Sequence, residues 1–187
     1  MRQPKCLVIR TYLPLLLLAC SAFAREPLTV VAQFERAYSE DAVKEMQKEL
    51  QSLMGNSGVD LSWRLLTDLA LSDSFPDLVV VKFHGACNAN APSRPWSGKA
   101  AALAYTHISN GQVLPFSEVD CDEIRSFVAT RLGGPALPVG DVELGRALGR
   151  VMAHELNHIL THSRSHASEG VTQRALSSAE LTARRFR

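Results

Sequence analysis

Short apolar runs alternate along this chain with longer stretches in which apolar side chains recur every three or four positions. Leu28 to Phe34 is apolar and β-branched and predicts a strand. Ser39 to Met54 carries Ala42, Val43, Met46, Leu50 and Leu53 at helical spacing and predicts a helix, stopped by Gly55-Asn56-Ser57-Gly58. Val59 to Leu66 predicts a second strand, and Asp77 to Phe83 is the strongest strand pattern in the sequence. Asn88 to Lys99, rich in Asn, Pro, Ser and Gly, reads as an exposed loop. Ala101 to Ile108 predicts a fourth strand, Ser109-Asn110-Gly111 a turn, and Gln112 to Pro115 a short return. Asp122 to Leu132 reads as a helix, and Gly133-Gly134-Pro135 with Pro138 as a linker. Asp141 then reads as the N-cap of a long helix from about Val142 to about Thr161. With no internal repeat, this order predicts one α/β (α+β) domain built on a core sheet.

The last long helix is amphipathic in an unusual way. At 100° per residue, Leu144, Leu148, Met152, Leu156, Ile159 and Leu160 share a broad apolar face, while His154 and His158 stand about 40° apart on its edge. Gly145 and Gly149, also one turn apart, predict that another element packs closely near the helix start.

Charge and targeting narrow the classes of function. The first 24 residues have the three parts of an export signal: basic Arg2, Lys5 and Arg10, the apolar run Leu13 to Ala19, then Ala22-Phe23-Ala24 as a cleavage site. The run is shorter than the roughly 20 apolar residues of a membrane span. Residues 25–187 are expected to be the single mature domain, secreted or periplasmic in a bacterial cell envelope. Leu17-Leu18-Ala19-Cys20 resembles a bacterial lipobox and is a competing signal for a lipid anchor at Cys20. Without the three basic residues of the signal, 17 basic residues face 19 acidic ones, which argues against a nucleic-acid partner. Cys87 and Cys121 then remain in an oxidising compartment and are expected to form one disulfide closing a loop of about 35 residues.

His154-Glu155-Leu156-Asn157-His158 is an H-E-x-x-H motif. Its spacing has a physical reason: residues one helical turn apart can present two imidazoles to a single ion. The glutamate beside the first histidine does not ligate; it is placed to take a proton from a water whose pKa the ion has lowered. The motif therefore predicts a Zn2+ cofactor and metal-assisted hydrolysis with Glu155 as general base.

Through these five residues, and more loosely through the strand-then-helix order of residues 28 to 162, the chain resembles the zincin metalloproteases. That resemblance implies a mixed sheet packed on a central H-E-x-x-H helix, a protein or peptide substrate, and a third metal ligand from beyond the helix. In the metzincin branch the pattern runs H-E-x-x-H-x-x-G-x-x-H, and here Thr161 and Arg164 hold the glycine and last histidine places; no methionine follows His158 to form a Met-turn. His166 arrives two residues later than in that pattern. On an unbroken helix it would lie about 18 Å along the axis from His154. Thr161 to Ser165 is a poor helix interior and Ser168-Glu169-Gly170 is turn-like, so the chain is expected to leave the helix near His162 and bring His166 back as third ligand. Two other ligands stay open. His162 sits one turn beyond His158, and Glu180 stands where the gluzincin branch has its glutamate, although Ser177 and Glu180 also read as a cap and a first-turn acid. His84 and His107, at or after strands, read as structural. A zinc-binding exported protein without catalysis is the alternative to a peptidase, and Glu155 argues against it.

Overall fold

The computed structural model describes residues 26–92, 102–131 and 139–186. The expected signal, the Cys20 lipobox and the Gly133 to Pro138 linker lie outside them. Strand β1, Leu28–Phe34, is buried over its first five residues and is the second strand of a five-stranded sheet. Helix α1, Glu40–Gly55, follows, with the Ser39 hydroxyl accepting from the Ala42 amide as its N-cap. Strands β2, Leu61–Leu65, and β3, Leu78–His84, then flank β1, both parallel to it. Strands β4, Ala104–Ser109, and β5, Gln112–Asp120, close the set. The order is β2-β1-β3-β5-β4, with β5 parallel to β3 and β4 antiparallel to β5. Among the described residues a mixed sheet and four α-helices make this an α+β fold.

Strand β5 is longer than the sequence pattern predicts, which stopped at Pro115. The proline falls where the β4–β5 register shifts, between the Ile108–Val113 and Thr106–Ser117 pairs, so its missing N–H costs no ladder bond. Helix α2, Cys121–Arg131, begins directly where β5 ends. Cys121 lies at disulfide distance from Cys87, with Cα atoms 5.0 Å apart.

Helix α3, Asp141–Thr161, crosses the core. Its N-cap is Gly140 and not Asp141, which instead opens the first turn, where an acid complements the helix dipole. Leu144, Leu148, Met152, Leu156 and Ile159 are buried as the wheel requires, but Leu160 is 38% exposed because the helix is about to end. Gly145 and Gly149 explain how α3 lies on α1. A Cβ at either would meet the carbonyl oxygen of Ala42 at 2.6 Å or of Met46 at 2.8 Å, so the two backbones touch along that seam. The helices cover the sheet face that carries Val30, Ala32, Val79, Val81, Phe83 and Val119. Among the described residues no helix is long and apolar enough to cross a membrane.

Helix α4, Ser178–Thr182, is a single capped turn. It is tied to α3 by Arg150, a fully buried arginine that donates to Glu49, to the backbone carbonyl of Glu180 and to that of Ala183 at 2.7 Å. Burying a guanidinium is costly unless every donor finds a partner. Here one carboxylate and two carbonyls satisfy it and pin the C-terminal segment to the middle of α3.

Candidate metal centre

Helix α3 presents His154 and His158 one turn apart on the edge of its buried face, and the chain beyond supplies the third imidazole. Thr161 is the last helical residue and His162 is a left-handed C-cap, φ 48°, whose amide closes back on His158 and Ile159. The break comes one residue after the helix pattern weakens, and it reverses the chain. Residues 167 to 173 then form a tight turn, with the Ala167 amide donating to the Thr172 carbonyl at 3.0 Å and Gly170 at φ 76°. Between these two turns His166 returns over the helix. Its ring centroid lies 5.1 Å from that of His154 and 4.9 Å from that of His158, and one nitrogen from each of the three rings falls within 4.8 Å of the others.

The backbone fixes which nitrogens face the centre. His154 Nδ1 is 2.9 Å from the carbonyl oxygen of Val171, and His158 Nδ1 is 2.7 Å from that of Ser163. A carbonyl only accepts, so each Nδ1 carries a proton and Nε2 is the nitrogen each ring has free to ligate. Those two Nε2 atoms are 3.1 Å apart. Nitrogens at that distance share either a proton or a cation, and nitrogens that bind one zinc at 2.0–2.1 Å stand about 3.3 Å apart. The donor set therefore fits a tetrahedral divalent ion, with the outer-shell carbonyls that metal-binding imidazoles usually have. Partial desolvation lowers the pKa of His166, and the neighbouring His154, His158 and Arg174 lower it further, which keeps its lone pair available.

Glu155 is 7% exposed. Thr106 of β4 donates its hydroxyl to Glu155 Oε2 at 2.6 Å and is itself 2.9 Å from the Ser117 hydroxyl of β5. The carboxylate is thus fixed between helix and sheet edge, and Oε1 is left without a partner among the described residues. A cleft of about 650 Å³ runs past this group, bounded by β4 on one side and by the 163–166 segment and Arg174 on the other.

The alternative ligands lie elsewhere. His162 faces away, exposed, beside Ile159 and Leu160. Glu180 closes a capping box: its carboxylate accepts from the Ser177 hydroxyl and amide and from Gln173, and those bonds lower its pKa. His84 and His107 point to the opposite face of the sheet, as strand alternation requires of neighbours of Thr106 and Phe83. There both rings hydrogen-bond Glu118. Burial pushes the Glu118 carboxyl up, but hydrogen bonds from Tyr105, His84 and His107 outweigh it and hold the pKa at about 2.

The sequence pattern does not disclose Thr106, nor the carbonyls of Ser163 and Val171. Thr106 reads as one β-branched residue of a strand, and a carbonyl has no sequence signature; the turn signal at Gly170 is the nearest trace of the Val171 contact. Comparison with protein-family models, with curated proteins and with solved structures finds no match.

Proposed function

We propose that this chain is an exported, zinc-dependent metallopeptidase of the zincin type that hydrolyses peptide bonds in protein or peptide substrates. The observation that carries the reading is the cluster of three imidazoles on an H-E-x-x-H helix: the Nε2 atoms of His154 and His158 stand 3.1 Å apart, each Nδ1 is held by a backbone carbonyl, and His166 closes the triangle. His154, His158 and His166 would hold the ion. When bound, zinc would supply a Lewis acid that polarises the scissile carbonyl and lowers the pKa of water.

The remaining work falls to the chain's own residues. Glu155 accepts a proton from water at its free Oε1 and returns it to the leaving amine, while Thr106 holds Oε2 so that the accepting oxygen stays in place. Strand β4 is an outer strand of the sheet, hydrogen-bonded on one side to β5, with its other side along the cleft. An extended peptide can add to such an edge through main-chain bonds, which would lay its backbone across the histidine cluster. A structural zinc site has no use for a buried, hydroxyl-anchored carboxylate beside its ligands, and this favours catalysis over simple metal storage.

Metal analysis and a cleavage assay on the purified protein test the reading together. Wild type is expected to carry about one zinc, His166→Ala to lose it and Glu180→Ala to keep it. Glu155→Gln is expected to keep the metal while cleavage of a quenched peptide library falls by at least about a hundredfold. Wild type with no zinc, or Glu155→Gln with undiminished cleavage, would end the proposal.

A further inference from the structure

The cleft carries two guanidinium groups for which peptide hydrolysis alone has no use. Arg164 and Arg174 both line it beside the histidine cluster. Arg174 also reaches a second cavity of about 390 Å³ that adjoins the first at Ala104, His154 and Glu155. Both side chains are exposed, and among the described residues neither forms an ion pair. The other arginines near the core are all matched: Arg125 with Asp122, Arg146 with Glu45, and Arg150 with Glu49. Glu155 is the one carboxylate among the residues lining either cavity, and it is buried with Oε2 held by Thr106. Two positive forks therefore flank the candidate centre, and among the described residues that line the cleft only the buried Glu155 carries the opposite charge.

A guanidinium presents paired N–H donors that match a carboxylate, and charge-assisted bonds of this kind are about twice as strong as neutral ones. The same positive field disfavours lysine and arginine in the bound peptide, so selectivity comes from repulsion as well as attraction. We propose that the cleft selects peptides that carry a carboxylate close to the bond to be cut, held by Arg164 and Arg174. This rests on the peptidase reading and names its substrate class. The carboxylate belongs either to an aspartate or glutamate side chain or to the peptide's C-terminus.

Fluorescein-labelled peptide pools distinguish these sources. One pool has Asp at a fixed position and an amidated end, a second has Asn there and an amidated end, and a third has Asn with a free C-terminal carboxylate. Binding is read by fluorescence anisotropy on zinc-loaded Glu155→Gln protein, which needs no turnover. The Asp pool is expected to bind about tenfold tighter than the amidated Asn pool at low salt, with the ratio shrinking as salt rises. The ratio should fall toward one in Arg174→Gln and Arg164→Gln and be partly kept in Arg174→Lys, which retains charge without the fork. Tighter binding of the third pool alone assigns the carboxylate to the C-terminus. Equal binding of all three pools, or a preference that both arginine variants retain, overturns the inference. Cleavage by wild type that favours neither the Asp pool nor the free-carboxylate pool also counts against it while leaving the peptidase reading standing. An Asp preference in binding with no cleavage of any pool does the reverse.

Discussion

Glu155 is a carboxylate taken out of water and matched with a single hydroxyl. Thr106→Val keeps the shape of that hydroxyl's side chain but leaves Oε2 buried with no donor. An unsatisfied buried acceptor costs about 1–3 kcal/mol, so urea denaturation should show a loss of that size, and under the proposed function cleavage should fall with it. Thr106→Ser, which restores the hydroxyl, should recover most of both. The Glu118 cluster makes a pH prediction with a definite sign. Its folded pKa of about 2 lies below the ordinary carboxylate value of 4.5, so the stability it contributes is present above about pH 4.5 and is lost as pH falls toward 2. Glu118→Gln should therefore be less stable than wild type at neutral pH. The difference between the two chemical-denaturation midpoints should shrink steadily below about pH 4.5; a difference independent of pH would show that the cluster's charge plays no part.

At the scale of elements, the contact between α1 and α3 decides where the histidines stand. Replacing glycine by alanine in an exposed helix interior gains about 1 kcal/mol of helix propensity. At Gly145 and Gly149 the added methyl would meet backbone of α1 at 2.6–2.8 Å, and overpacking of a closed seam costs about 1–3 kcal/mol. The sign should therefore reverse: Gly145→Ala and Gly149→Ala are each expected to lower the thermal midpoint, and Gly149→Ala, five residues before His154 on the same helix, should also weaken zinc binding in a competitive chelator titration. A stabilised variant would mean that the helices separate at little cost. The two turns after α3 matter in the same way. Residues 162 and 170 adopt left-handed conformations, and only their combined reversal brings His166 and the Val171 carbonyl back onto the helix that bears their partners.

For the whole molecule, one cross-link ties segments distant in sequence and the proposed ion would add a second. The Cys87–Cys121 pair spans 34 positions and joins the loop after β3 to the start of α2, where Arg125 donates to the Ala86 carbonyl at 2.6 Å. Loop-closure entropy gives such a link about 3–4 kcal/mol, and reduction should lower the unfolding free energy by that order. The second link is the ion itself, which would join α3 to the segment beyond it. Zinc at a hundred times its dissociation constant should add about 2.7 kcal/mol, raising the thermal midpoint of a chain this size by about 5–10 °C; His166→Ala should abolish the rise.

Much of this is legible in the sequence. The periods of Leu28 to Phe34, Ser39 to Met54 and Leu144 to Ile159 determine strand and helices because burying one face is the only way those side chains leave water, and an i, i+4 histidine pair shares an edge wherever it lies on a helix. The break at His162 was legible for a related reason, since the Ser and Thr residues around it compete with helical hydrogen bonds. What the tertiary structure alone decided depends on residues far apart in sequence. Which strand borders the cleft follows from sheet order, so Thr106 acquires its partner only when β4 takes the edge. The Nδ1 contacts of His154 and His158 follow from carbonyls that two turns deliver, and the placing of His166 rather than Glu180 beside those two rings from where the returning chain comes to rest. Local periodicity reports which face of an element is buried; it carries no information about which other element will cover it.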